Sequence, residues 1–376
     1  MKRKYNLLFI FILLITFPVS AQLSLGGYIK DMQTTSFFHP DSAWQNGNLI
    51  HNRLNFKYNI DTNWTAALEI RNRLYWGDNP SANLSDQDAG LVKASYLIWD
   101  NPSAALLTQA DRFWVSWTND KWSVTMGRQR INWGQTFVWN PNDIFNTWSF
   151  FDFDYEERPG SDAIRIQHFT GPSSRWELAA QADSGKDITL AGLYARTIKN
   201  YDVQFFGGVY KSSDFTLGTG FSGSLGKGML RGELSLFSDI EKVGDTSVVV
   251  MASLGYDFMF ENSLTLQGEI LFNGNKKASA DVPLQMLTQA PSAKNIFLPG
   301  ISLFAMASYP FTPLFNGSLS IISVPQYKIL FAGPTAGFSV SQNSEIGISA
   351  YYFSELAKFN GFNHLTMFFL RYRYSF

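Results

Sequence analysis

Arginine and lysine recur at even spacing along stretches that otherwise read as extended chain: Arg53 and Lys57, Arg71 and Arg73, Arg371 and Arg373. Side chains two or four residues apart on a strand share a face, so each pair presents its charge on one side. Arg165 and Arg231 add to the set, and Glu69, Glu233 and Glu269 occupy the same kind of position. Cations gathered on one wall favour anionic solutes through the field they create. Glutamates interleaved with them would instead make a structural ion-pair ladder. The residue types alone leave both readings open.

Nothing else in the chain has the spacing of an enzyme. The histidines, His39, His51, His168 and His364, fall in no H-E-x-x-H pair, and no G-x-S-x-G elbow is present. The carboxylates are scattered rather than paired about a cleft. With 0 Cys, thiolate nucleophiles, thiolate metal sites, disulfides and a lipoprotein anchor are all absent. No catalytic residue, metal or cofactor is expected. The enzymatic alternative is a membrane-embedded hydrolase with a Ser–His pair at the lipid interface. A formal net charge of -1 offers no global attraction to nucleic acid, and no such partner is expected.

The elements that must position the charged residues are strands. The segment 364–376 (HLTMFFLRYRYSF) alternates Phe368, Leu370, Tyr372, Tyr374 and Phe376 with Phe369, Arg371, Arg373 and Ser375. That is the two-sided pattern of a transmembrane barrel strand, apolar toward lipid and polar toward a lumen. Aromatic residues make up 16% of the chain and mean hydropathy is close to zero, yet nothing after residue 21 is long and apolar enough for a membrane helix. Eighteen stretches, from 23–31 to 363–376, read as strands, with sixteen as the alternative count. In 62–76, Trp64 and Trp76 share a face with Ala66, Leu68, Ile70 and Leu74, with Asn72 as a polar defect among them. Short connections alternate with longer ones such as 32–47, 77–103, 131–160 and 274–297, leaving only the one near Gln326 shorter than its side demands. The segment 91–99 (LVKASYLIW) reads as loop, because counting it as a strand would break parity.

The fold expected is therefore all-β: a single antiparallel up-and-down barrel over 22–376, following a signal peptide at 1–21. Lys2, Arg3 and Lys4 precede an apolar run too short to span a bilayer, and Val19-Ser20-Ala21 supplies a small-residue cleavage site. A barrel of that size leaves an aqueous channel. Closure makes 48–60, 62–76 and 363–376 near neighbours, so their cations are expected on one wall. The rival soluble folds are a large β-sandwich or a propeller, but no blade-length repeat is present.

One connection is longer than a surface loop needs to be. The segment 131–160 mixes aromatic and acidic residues, which predicts packing against the barrel wall. An inward fold would make it a constriction, and an outward loop held by the same contacts is the alternative. Arg128, Arg130, Trp133, Asn140, Asp143 and Asn146 are candidates for fixing it. Asp152, Asp154, Glu156 and Glu157 would then face Arg128, Arg130 or Arg158. Strict alternation from Trp122, Val124 and Met126 would carry Arg128 toward lipid, so either Gly127 marks a bulge or the strand has already left the membrane.

Two resemblances add to these readings. A strand that stops on Phe376 after Tyr372 and Tyr374 resembles the terminal signal by which bacterial barrel proteins are recognised for insertion. It implies a Gram-negative outer membrane, with its lipid and the barrel-assembly machinery as partners. The sequences Gly-Arg-Gln, Trp-Gly and Asn-Pro-Asn-Asp within 127–146 (GRQRINWGQTFVWNPNDIFN) resemble outer-membrane porins related to the alginate-export type, most strongly over 111–171. That resemblance implies a diffusion channel for a small polar, anionic or saccharide solute, without a cofactor. No polyuronate site carries over residue by residue. Analogy with general porins adds further copies of the chain as partners.

Overall fold

A computed structural model describes residues 22–78, 80, 88–151, 157–242, 248–275, 291–359 and 362–376. The expected signal peptide and the acidic residues Asp152, Asp154 and Glu156 lie outside them. The strands are β1 (Leu23–Phe37), β2 (Gln45–Asn59), β3 (Trp64–Gly77), β4 (Ser95–Asn101), β5 (Ala104–Thr118), β6 (Trp122–Gln129), β7 (Ser161–Gly171), β8 (Ser174–Ala182), β9 (Ile188–Ile198) and β10 (Tyr201–Tyr210). They continue with β11 (Asp214–Leu225), β12 (Gly228–Asp239), β13 (Val249–Met259), β14 (Thr265–Asn273), β15 (Gly300–Thr312), β16 (Phe315–Val324), β17 (Ile329–Ser341), β18 (Ser344–Phe359) and β19 (Phe362–Ser375).

All pairings are antiparallel between neighbours in the chain, except that β3 pairs with β5 and β19 returns to β1. Closure runs from Tyr28 opposite Ser375 to Phe37 opposite Thr366. Beyond it Gly27 and Phe376 exchange two backbone hydrogen bonds of 3.0 Å. Gly27 admits no side chain, because a Cβ there would sit 2.1 Å from the carbonyl oxygen of Arg53. Closure gives each strand of the ring a neighbour on both sides, as a bilayer demands where no water reaches the backbone.

The segment assigned to loop at 91–99 overlaps β4 from Ser95 onward, which corrects that expectation without changing the count. β4 is 7 residues long and pairs with β5 alone. It lies beside the first part of β5, residues 104–109, while β6 takes the same edge from Phe113 onward. It is a partial strand above a short one, so nineteen strands leave eighteen in the closed ring. The long-loop end also holds more tight turns than expected. Besides the turn near Gln326, the connections 183–187 and 211–213 are short and turn through left-handed residues, Lys186, Lys211 and Ser212.

Alternation sets the two faces. On β14, Ile270 and Phe272 are 49% and 44% exposed, whereas Glu269 and Leu271 between them are 2% and 0% exposed. The polar defect at Asn72 is resolved by neighbours in register: its amide donates to Asn52 at 3.2 Å, and Thr108 donates to it at 2.9 Å. A polar residue on an apolar face is tolerated when its bonds are made within the sheet.

The interior departs from a uniformly polar lumen. Phe206, Phe237, Met251, Leu271, Phe304, Ile322, Phe331 and Phe353 project inward from β10 to β18 and form one buried cluster with Ile131, Trp133, Val138, Trp139, Ile144 and Phe145. Burying each large side chain contributes about 2–3 kcal/mol. This apolar half of the interior anchors the segment between β6 and β7.

Candidate functional site: a polar bridge across the barrel

The segment between β6 and β7 is held on the inner wall by three glutamates that alternation aims inward. Glu269 of β14 accepts the backbone N–H groups of Phe137, Val138 and Trp139 at 2.9, 3.0 and 2.8 Å. Glu233 of β12 accepts those of Thr136 and Asn142 at 2.7 and 2.8 Å, that of Gln135, and the Thr136 hydroxyl at 2.8 Å. Glu177 of β8 accepts the Trp133 indole N–H at 2.7 Å and pairs with Arg165 at 2.7 Å. An ionised carboxylate is acceptor-only with room for several donors, and its charge strengthens each bond.

The Asn-Pro-Asn-Asp sequence makes this possible by folding on itself. The Asn140 amide donates to the Thr136 carbonyl at 2.6 Å, and the N–H of Asp143 returns to the Asn140 carbonyl at 3.0 Å. The Pro141 carbonyl accepts from Ser235 at 2.9 Å. Asn146 closes the base of the loop, accepting from the N–H of Ile131 at 2.7 Å and donating to the Pro159 carbonyl at 2.7 Å. Trp133, Asn140, Asp143 and Asn146 are thus brought together.

The opposite wall carries the basic residues. Pairing sets Tyr28 beside Arg53 and Arg53 beside Arg71, with Lys30 beside His51 and His51 beside Arg73. Lys30, His51, Arg53, Arg71 and Arg73 are all at most 5% exposed. Arg53 pairs with Asp111 at 2.7 Å, with Glu69, and with Glu157 at 3.8 Å. A register shift opposite Glu69 makes Asp111 and Arg112 successive residues at a bulge. A bulge lets two residues oppose one, and both reach the Arg53–Glu69 pair. Tyr28 donates to Glu157 at 3.0 Å and lies 4.3 Å beneath Arg373. Arg371 pairs with Glu345 at 3.2 Å, Arg231 stacks on Phe137 at 4.5 Å, Arg71 donates to Gln109 at 2.6 Å, and Lys57 stands exposed.

The two sides meet. Arg158 donates to Asn140 at 2.7 Å and pairs with Asp143 at 3.3 Å, while its own carbonyl accepts from Arg112 at 3.0 Å. Asn140 in turn reaches Glu233 at 3.3 Å. A continuous polar path therefore runs from Arg53 on β2 through Glu157 and Arg158 to Asn140 and Glu233 on β12. Counting β3, β5 and then each strand to β12 gives nine steps from β2 in a ring of eighteen, so the path joins opposite walls. Asp143, in the loop, is fully buried, and burial pushes its carboxyl up to about 7 against the opposing pull of Arg158 and Arg130.

Arg128 does not follow the bulge expectation. Pairing runs without a shift through Gly127 on both sides and continues to Gln129, so there is no bulge there, although Gly127 adopts a φ of +115°. Arg128 is 2% exposed because the segment ahead of β4 covers it. It pairs with Asp162 at 2.7 Å and Asp88 at 2.9 Å, and donates to the Val92 carbonyl at 2.6 Å. Of the loop carboxylates expected to face it, only Glu157 is among the described residues, and Glu157 faces Arg53 instead. Sequence reasoning passed over Lys30, His51, Asp88, Asp111 and Asp162. The strand alternation could have flagged Lys30 and His51, but nothing local marks the other three.

Among the described residues no cluster of histidine and carboxylate side chains could hold a metal. A recess of about 350 Å³ lies below the loop, lined by Gln135, Arg175, Asp202 and Gln204 among others.

No protein-family model and no curated protein sequence matches the chain. Solved outer-membrane porins do match in structure. OccAB4 of Acinetobacter baumannii superposes with a TM-score of 0.59 at 8% identity, covering 95% of this chain and 99% of that one. OccK5 (OpdH) of Pseudomonas aeruginosa gives 0.60 at 8% identity over 94% and 98%, and OccK8 (OprE) of the same organism 0.58 at 8% over 94% and 98%. At such identity the likeness speaks for architecture: the chain has the closed eighteen-stranded barrel fold of outer-membrane porins.

Proposed function

We propose that the protein is an outer-membrane channel of porin type, through which small polar solutes, anionic or saccharide in character, diffuse passively. The observation that carries this reading is the inward segment between β6 and β7, clamped by wall carboxylates inside a closed barrel with an apolar outer face. In this reading 131–160 is the constriction. The cations of β19, β1, β2 and β3 bias the lumen toward anions, and the resemblance of 111–171 to alginate-export-type porins agrees with a solute of that kind. Export with removal of 1–21, assembly through the terminal Tyr372, Tyr374 and Phe376, and association with lipid and with further copies of the chain belong to the same proposal. No catalytic step is assigned.

The test is single-channel conductance and reversal potential of the refolded mature chain across a salt gradient. Stable steps with anion preference are expected. A clear cation preference would sink the basic-lumen reading. A second reading is a plugged barrel, favoured by the burial of Lys30, His51, Arg53, Arg71 and Arg73; a folded, bilayer-inserted chain that never conducts would select it.

A further inference from the structure

We propose that Arg158 is the residue that sets the size limit of the pore, an inference that rests on the channel reading and names the determinant within it. Each arm of the bridge is fixed independently of the other. The arm at 133–142 is clamped to β8, β12 and β14 through Glu177, Glu233 and Glu269. The arm at 157–158 is held to β1, β2 and β5 by Tyr28, Arg53 and Arg112. Between these arms, among the described residues, the contact is made by the Arg158 guanidinium, which holds Asn140 at 2.7 Å and Asp143 at 3.3 Å and stacks over Trp148 at 5.1 Å.

One guanidinium nitrogen reaches both acceptors while the flat group lies over an aromatic face, and that combination of stacking and fixed donor direction is what arginine supplies and lysine does not. The contact joins walls that lie half a ring apart. While it holds, the interior is crossed along its width and a solute must pass beside the bridge. If it parts, both arms stay on their own walls and the passage beside the bridge widens. Arg158 is only partly exposed, with a side-chain accessibility of 17%, and sits off the strands. Its replacement therefore leaves the barrel ladder intact. The residue determines size, whereas the cations on the β1 to β3 wall act on charge.

The experiment compares wild type, Arg158→Gln and Arg158→Lys in liposomes swollen by neutral sugars of increasing size. Hydrogen exchange of the same proteins supplies a readout independent of transport. Arg158→Gln is expected to admit larger sugars and to speed entry of the largest wild-type permeant several-fold, with Arg158→Lys between the two. Exchange is expected to quicken over 157–161 while 135–142 stays protected. An unchanged size limit in a folded Arg158→Gln barrel overturns the proposal, as does joint loss of protection in both arms. A silent wild type beside a conducting Arg158→Gln overturns the open-channel reading and supports the role of Arg158. Silence of both, in folded barrels, overturns both.

Discussion

Replacing Glu269 by glutamine changes one atom and tests whether the wall carboxylates hold the inner loop. One carboxylate oxygen accepts the N–H groups of Phe137 and Val138 at 2.9 and 3.0 Å, and the other accepts that of Trp139 at 2.8 Å. A primary amide has one acceptor oxygen and one donor nitrogen. Whichever way it turns, its NH₂ faces at least one backbone N–H. A buried donor left unpaired costs about 1–3 kcal/mol, and losing the charge weakens each surviving bond by roughly 1 kcal/mol. The total is about 3 kcal/mol, while Glu233 still holds its own N–H groups. At about 1.4 kcal/mol per factor of ten, local opening of the loop rises roughly 100-fold. Hydrogen exchange read by mass spectrometry over 135–142 measures this directly, with the amides of β12 and β14 as internal controls. The reasoning is refuted if loop protection in the folded variant stays at the wild-type level. It is equally refuted if loop and wall lose protection together, because the carboxylate would then be supporting the barrel.

Two further perturbations follow from the same geometry. Asp143 has its folded pKa raised to about 7 from 3.8 by burial, so the folded loop binds the proton more tightly than the unfolded chain does. Loop stability is then highest at low pH and falls between about pH 4 and pH 7, by at most about 4 kcal/mol. Rate-corrected hydrogen exchange over 140–146 should fall in protection across that window in wild type and stay flat in Asp143→Asn; parallel profiles would refute it. Arg53→Ala removes the guanidinium that Asp111 holds at 2.7 Å, while Glu69 keeps Arg112 at 3.7 Å, and breaking such a buried pair costs about 3–5 kcal/mol. The thermal midpoint of the heat-modifiable barrel should drop in Arg53→Ala and partly recover in Arg53→Ala/Asp111→Ala, whereas a further drop in the double variant would refute the pairing.

The barrel was legible because a membrane strand repeats at two residues and every strand must obey the same period. The eighteen-membered ring, its closure at Phe376 and the neighbouring basic strands all follow from that rule. β4 escaped it because it pairs along one edge only. That 131–160 packs against the wall was suggested by its length and its mixture of aromatic and acidic residues, which left its direction open. What fastens it did not show: Glu233 and Glu269 look like lumenal charges by alternation, and their partners are backbone amides, which carry no mark in the sequence. Lys30 and His51 were within reach of the same rule, since alternation along β1 and β2 turns them to the face that carries Tyr28 and Arg53. Arg128 is covered by residues some forty positions earlier in the chain, a contact that no local pattern announces.

The interior also divides labour in a way that alternation cannot express. Inward positions on β10 to β18 that meet the loop are mostly apolar, with Glu233, Ser235 and Glu269 set among them. An apolar surface inside a water-filled barrel would be a liability unless something covered it, and Trp133, Trp139, Ile144 and Phe145 do so. The covered half gives the loop a hydrophobic seat, and the glutamates add direction, since hydrophobic packing alone fixes no register. With one half of the interior committed to holding the loop, the proposed channel function puts the solute route beside the cations of β19, β1, β2 and β3. Charge preference and size limit then reside on different elements, the wall and the bridge. Substitutions at Arg373 should shift reversal potential with the size limit kept, and substitutions at Arg158 should do the reverse.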